Sequence, residues 1–153
     1  MNICLMIGAP GSGKSHYCGV NFPSLKIISC DEIREEHFGS TRSYEIRETV
    51  KERMKELIVD MVEDSTDKIV IDTTYFNERS ERKFLFEFGP SVLVSAVYIN
   101  SSLELCLKRN RQRRAERRVA DDMVAMLHSK VCPPEYSEGF YSIEVVDYKL
   151  DLN

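Results

Sequence analysis

Along the 153 residues, apolar and polar positions follow two different periods. Short runs rich in aliphatic and β-branched residues at 2–7, 25–29, 68–71, 92–99 and 141–146 predict five strands. The first is apolar throughout from Ile3 to Ile7, as a central parallel strand covered on both faces should be. Between the strands the period lengthens to that of a helix. The spacing predicts a short helix from Ser15 to about Val20, one over 31–38, and a long one from about Ser43 to Glu63. In the long one Ile46, Val50, Met54, Leu57, Ile58, Met61 and Val62 recur at three and four to form a buried stripe, and the charges between them read as a solvated face. A helix over roughly 77–88 turns Phe84, Leu85 and Phe88 inward and stops at Gly89-Pro90. Ser101 with Glu104 reads as a capping box opening a helix with Leu103, Cys106 and Leu107 inward, which runs on into 108–118. A last helix, about Ala120 to Val131, buries Met123, Met126 and Leu127 and is broken by Pro133 and Pro134. Regular alternation of strand and helix implies an α/β fold with a doubly wound, parallel, five-stranded sheet. With no repeat and no linker-like tract, residues 1–153 read as one domain.

Composition adds one informative feature. Hydrophobic residues at 42% and charged residues at 30% suit an ordinary globular chain, and a net charge of -4 argues against broad affinity for nucleic acid or anionic membrane. The segment Lys108 to Arg118 departs from this balance, with seven basic residues and one acidic among eleven. The block carries +6, so the rest of the chain carries about -10. Three jobs compete for it: gripping a polynucleotide backbone, closing as an arginine lid (about 108–120) over a bound triphosphate, or standing as a solvated basic helix. Arg109 and Arg113, four apart and so expected on one helical face, are the candidates for the lid. Five cysteines at wide spacing without a C-x-x-C pair read as free thiols of a reducing compartment. No basic-then-apolar leader and no apolar run near 18 residues is present, so a cytoplasmic location without membrane contact is expected.

Candidate chemistry is concentrated where strands end. Gly8-Ala9-Pro10-Gly11-Ser12-Gly13-Lys14-Ser15 fits G-x-x-x-x-G-K-[ST] at every fixed position, and it lies between a strand and a helix. Its glycines let backbone N–H groups converge on an anion, and the helix N-terminus adds partial positive charge. Lys14 can reach the β- and γ-phosphates, and Ser15 can offer its hydroxyl to Mg²⁺. ATP with Mg²⁺ is therefore the expected cofactor pair. Asp31 stands at the carboxyl end of the second strand, where open α/β sheets bind ligands, with Arg34 one helical turn on. The plainer reading of Asp31 is a helix cap. The third strand ends in Asp72-Thr73-Thr74, which resembles a Walker B strand whose carboxylate handles the metal through water.

These stretches, together with Ser29-Cys30-Asp31-Glu32-Ile33-Arg34 and Leu107-Lys108-Arg109-Asn110-Arg111-Gln112-Arg113, resemble the kinase domain of phage-type polynucleotide 5′-kinases over nearly the whole chain. The resemblance implies a P-loop kinase fold with an arginine-rich helical lid. It implies Asp31 as general base, Arg34 as the grip on the acceptor's phosphate, and Asp72, with Thr73 and Thr74 beside it, as the carboxylate orienting the acceptor network. It implies Arg113 as the lid arginine on the donor phosphates, with Arg109 beside it. The activity it implies is phosphoryl transfer from ATP to a hydroxyl of a nucleic acid, foremost the 5′-OH end of DNA or RNA. Hydroxymethylated pyrimidines in DNA, as used by related phage kinases, and small nucleotides or nucleosides are alternative acceptors. An acidic sequence pI of about 5.5 favours a small one. A nucleotide switch or ATPase that phosphorylates nothing is the rival of another class. The expected partner is a nucleic-acid or nucleotide acceptor rather than a membrane, and the protein is expected to be a monomer or small homo-oligomer. The 72–77 loop is one residue longer than the family's usual form, and Arg114, Arg117 and Arg118 have no assigned counterpart role.

Overall fold

The computed structural model describes residues 1–39 and 44–148, with the side chain of Tyr44 outside the description. Its strands are β1 (Asn2–Ile7), β2 (Lys26–Ser29), β3 (Lys68–Asp72), β4 (Leu93–Ser101) and β5 (Ser142–Tyr148). The helices are α1 (Lys14–Asn21), α2 (Cys30–Phe38), α3 (Tyr44–Glu63), α4 (Arg79–Phe86), α5 (Leu103–Arg111) and α6 (Asp121–Ser129). The expected five-stranded, wholly parallel sheet is present, in the order β2-β3-β1-β4-β5. Within apolar β1 the residues divide by parity. Ile3, Leu5 and Ile7 join Val50, Met54 and Ile58 of α3 and Leu85 of α4 in one core. Cys4 and Met6 face the other way with Cys18 of α1. Both faces are therefore dry, which is why the strand shows no polar alternate position.

Pairing register matters more to the site than the core does. Asp72 of β3 lies opposite Met6 of β1 and opposite Ser29 of β2, so three strands end level at one edge of the sheet. The chain leaves that edge into Gly8–Gly13, into Asp31 and into Thr73–Thr74. The order also reverses at β1, whose neighbours are β3 on one side and β4 on the other, so the crevice of a doubly wound sheet opens at this edge.

Several boundaries differ from those expected, each for a local reason. Ser101 is the last residue of β4, its hydroxyl donating to the Ser12 carbonyl at 2.7 Å. The cap of α5 is Ser102, whose Oγ accepts from the Leu105 N–H, so no Ser101–Glu104 box forms. Helix α5 stops at Arg111 rather than continuing through the basic block. The cause is Asn110, fully buried, which donates Nδ2 to the Val119 carbonyl at 2.6 Å and accepts from the Val119 N–H at 3.0 Å. That two-way bond folds the chain back on itself, leaving a loop with one 3₁₀ turn at Ala115–Arg117 where a helical lid was expected. In α6 the buried position is Val124, while Met126 is 40% exposed. Residues 75–77 form a separate 3₁₀ turn before α4 begins at Arg79.

Helix α4 also carries a feature the sequence pattern does not announce. Arg82 is 0% exposed. Its Nε and Nη2 donate to the Glu138 carboxylate at 2.8 and 3.0 Å, and Nη1 serves the carbonyls of Phe76, Asn77 and Cys132. A buried guanidinium is tolerable because its charge is paired and its donors are occupied. Arg82→Ala leaves Glu138, itself 4% exposed, with only the Glu135 N–H and a 4.0 Å approach of Arg79 Nε among the described residues, and should cost about 3–5 kcal/mol in urea unfolding. A loss below about 1 kcal/mol would show that the pair is not structural.

Candidate active site

The loop between β1 and α1 is shaped by what lies beneath it. Gly11 has φ 78° and Gly13 φ 109°, the left-handed region that glycine occupies without strain. A Cβ on Gly11 would stand 2.3 Å from the Cys106 carbonyl oxygen, so the loop rests on the backbone of α5 and admits no side chain there. From the opposite side Asn77 grips Gly8 twice, accepting from its N–H at 2.9 Å and donating to its carbonyl at 2.7 Å. The Ser12 carbonyl accepts from Ser101 and from Arg109 Nη1, each at 2.7 Å. Lys14 is buried and donates to the carbonyls of Gly8 at 2.7 Å and Ala9 at 3.1 Å. Burial lowers its pKa; Arg113 pushes the same way, and Asp72 and Asp31 oppose.

The two other strand ends bring their carboxylates to the same edge. Ser15 Oγ donates to Asp72 Oδ2 at 2.7 Å. Helix α2 is capped by Ser29, whose Oγ accepts from Glu32 N–H, so Asp31 lies inside the first turn and is not the cap. Asp31 Oδ1 accepts from Arg34 Nη1 at 2.7 Å, and Oδ2 lies 3.5 Å from Arg113 Nη2. Arg34 is 13% exposed, and its Nε is buried without a hydrogen-bond partner among the described residues. A cavity of about 690 Å³ connects these groups. Its wall includes Pro10, Gly11, Ser12, Gly13, Lys14, Ser15, Asp31, Arg34, Asp72, Thr73, Thr74, Arg109 and Arg113.

The profile of the family described as an AAA domain matches residues 3–130. The chain belongs to this AAA-domain family. No curated protein sequence matches it. Among solved structures, a chain in the Pnkp1/Rnl/Hen1 RNA repair complex superposes with a TM-score of 0.70 at 18% identity, covering 84% of this chain and 43% of its own. The AAA domain thus spans less than half the length of that protein. A sugar kinase from Janibacter sp. gives a TM-score of 0.61 at 20% identity, with 95% and 84% of the two chains covered. A gluconokinase from Sinorhizobium meliloti gives 0.59 at 17%, covering 95% and 82%. At such identities the likeness establishes the fold, that of P-loop kinases, and the loop makes it a nucleotide-binding fold.

Not every expected contact reaches the cavity. Gly8 and Ala9 are buried behind its wall, and the polar groups of Gly8 are already spent on Asn77 and Lys14. Thr73 lines the cavity, but its Oγ1 accepts from the Tyr75 N–H, so the hydroxyl also shapes the turn. Arg109 and Arg113 do not share a helical face, since Arg113 lies beyond the end of α5. Arg109 instead holds Ser12 from below, with its guanidinium 5.0 Å over the Tyr148 ring. Two residues of the AAA domain's site went unread in the sequence. Asn77 carries no motif of its own, and Arg47 looked like one charge among many on α3 yet lines the cavity. Among the described residues no helix is long and apolar enough to cross a membrane.

Ser15 and Asp72 supply a hydroxyl and a carboxylate at contact distance, the hard oxygen donors that Mg²⁺ takes beside phosphate oxygens and water, so the site fits that ion. Lys14 serves as the test of the loop itself. If it is replaced by methionine, neither carbonyl is orphaned, because Gly8 O keeps Asn77 and Ala9 O keeps the Ser12 N–H. Lys14→Met should therefore leave the thermal midpoint unchanged or raised. Calorimetric affinity for a magnesium-bound, non-hydrolysable ATP analogue should fall about tenfold to a hundredfold, the loss of one or two charge-assisted bonds. A lowered midpoint with unchanged affinity would show a structural lysine.

Proposed function

We propose that this AAA domain transfers the terminal phosphoryl group of ATP to a hydroxyl of a nucleic acid or nucleotide, with the 5′-OH end of DNA or RNA as the acceptor, in the manner of phage-type polynucleotide 5′-kinases. The observation that carries the reading is the Asp31–Arg34 pair on α2, which shares one cavity with the phosphate loop and is approached by Arg113. A hydrolase or switch has no use for a carboxylate and a guanidinium held together on the far wall. A transferase needs a base for the incoming hydroxyl and a cation for the charge beside it. The buried, unpartnered Nε of Arg34 supports an anionic acceptor, since an orphaned donor is costly unless a ligand takes it up.

In this reading Asp31 accepts the proton of the acceptor hydroxyl as that oxygen bonds to the γ-phosphorus. The bond from phosphorus to the β–γ bridging oxygen breaks, and ADP departs with the electron pair. Lys14 and Arg113 bear on the charge spread over the transferring group, and Ser15 with Asp72 would hold Mg²⁺. When bound, the ion neutralises the donor phosphates. The domain's work is positioning and charge neutralisation rather than covalent chemistry.

A second reading, with a small nucleotide as acceptor, draws on how the basic block is spent. Arg111 pairs with Asp121, Arg117 with Glu35, and Arg118 donates to the Arg113 carbonyl. The Glu35 carboxylate offsets the Arg117 charge, which reduces what the block offers a polymer backbone. Among the structural relatives, one sits in an RNA repair complex, and two are named as a sugar kinase and a gluconokinase, which is in keeping with either reading.

Labelled γ-phosphate offered with 5′-OH DNA, 5′-OH RNA, hydroxymethyl-pyrimidine DNA and free nucleotides should appear on a 5′-OH end. Label only on a free nucleotide selects the second reading, and release as inorganic phosphate alone overturns both. Asp31→Asn should abolish transfer while leaving binding of the ATP analogue intact. Arg113→Ala should lower turnover by about 10³-fold, as loss of a catalytic arginine does. Wild-type turnover in either variant would remove that residue from the mechanism.

A further inference from the structure

Four arginines follow α5 in six residues, and a donor site accounts for one of them. The path of the chain explains two others. The loop 111–118 is closed at its base by the two-way bond between Asn110 and Val119. Inside that base only the single 3₁₀ turn gives it regular structure. Its tip is fastened to a different helix. Arg117 donates Nε and Nη2 to the two carboxylate oxygens of Glu35 at 2.8 and 2.9 Å, and Arg114 Nη2 stands 3.6 Å from the same carboxylate. Glu35 belongs to α2, one helical turn beyond Asp31 and adjacent to Arg34, so the three share a face. The Arg113 side chain, by contrast, has among the described residues only the 3.5 Å approach to Asp31, too long to hold it firmly. The position of Arg113 is therefore set by the loop that carries it.

We propose that Glu35 is a positioning residue: it latches the tip of the 111–118 flap through Arg117 and thereby sets Arg113 over the candidate site. The geometry favours this role over simple surface pairing. A bidentate arginine–carboxylate contact fixes orientation as well as distance, and both partners are about two-thirds or more sheltered from solvent. A hinge at the base and a latch at the tip make the flap a two-point device, with the catalytic candidate between the points. Opening it requires that Glu35 release Arg117, while the base is held independently by buried Asn110.

The inference rests on the transferase reading for its kinetic consequence but not for its structural one, and the test separates them. In Glu35→Gln, trypsin should cut after Arg113, Arg114 and Arg118 about tenfold faster in the absence of any substrate, the loss of one charge-assisted fork, with the thermal midpoint unchanged. Turnover on the labelled acceptor should fall about tenfold while affinity for the ATP analogue stays within about twofold, because the donor loop is untouched. Reversing the pair, Glu35→Arg with Arg117→Glu, should recover slow cleavage and part of the turnover relative to either single change. Equal cleavage rates in wild type and Glu35→Gln overturn the latch, whether or not any acceptor is phosphorylated. Faster cleavage with wild-type turnover overturns the positioning role. A double reversal no better than the worse single change removes the pairing on which both depend. If the wild type phosphorylates nothing, the transferase reading fails and faster cleavage still supports the latch.

Discussion

The register of three parallel strands is the constraint on which this molecule depends. With Ser29, Asp72 and Met6 aligned, the chain must leave β2, β3 and β1 at one level. Asp31, Thr73 and the phosphate loop thereby reach a common cavity without any long excursion. A slip of one residue in β3 would turn Asp72 to the other face, break its bond with Ser15 and bury a carboxylate in aliphatic core. The dry faces of β1 forbid that slip energetically, because every residue from Ile3 to Ile7 is matched to a packed partner. The chemistry at the edge is located by the hydrophobic pattern of the middle.

The loop is fixed from outside as well as by its own Lys14 and Ser12 bonds. Asn77 holds its entry, Ser101 and Arg109 hold the Ser12 carbonyl, and the α5 backbone supports Gly11. Asn77 is in turn secured by Arg82, whose Nη1 binds the Asn77 and Cys132 carbonyls while its other nitrogens engage Glu138. A buried ion pair outside the cavity's lining is thus two contacts removed from the phosphate loop. Such a network tolerates partial satisfaction badly, so the same bonds that position the loop also make it stiff.

What the sequence reveals and what it hides follow the range of the interactions involved. The strands, the phosphate loop and the strand-end aspartates are legible because each is a local pattern with a local physical meaning. Arg82 is not legible: an arginine in a polar stretch reads as surface, and its partner lies 56 residues away. The end of α5 fails for the same reason. The basic run has good helix propensity, and only the bond from Asn110 to a residue nine positions on overrides it. Ser101 and Ser102 are adjacent and chemically alike. The choice of cap is decided by the length of β4 and the pull of the Ser12 carbonyl, neither of which is written near them. The expected shared face of Arg109 and Arg113 inherits the error in the helix end, whereas their common cavity survives it because the fold brings them together by another route.

The charge of the chain bears on the acceptor in a way the arginine count alone does not. Outside the basic block the protein carries about -10, so a polyanion at a distance meets a repulsive average field. At physiological salt that field decays over about 8 Å, and the charges lining the cavity are Lys14, Arg34, Arg47, Arg109, Arg113, Arg114, Arg117 and Arg118 against Asp31 and Asp72. Attraction is therefore short-ranged and confined to the pocket. The intramolecular pairs of Arg111 and Arg117 deepen this contrast by neutralising cations that would otherwise extend the positive surface outward. Under the proposed transferase reading, such a site suits an acceptor held by its hydroxyl and the phosphate beside it, not by a track along its backbone. That favours the end of a strand or a single nucleotide over an internal position in a duplex, and it explains how an acidic protein can carry a site built for anions.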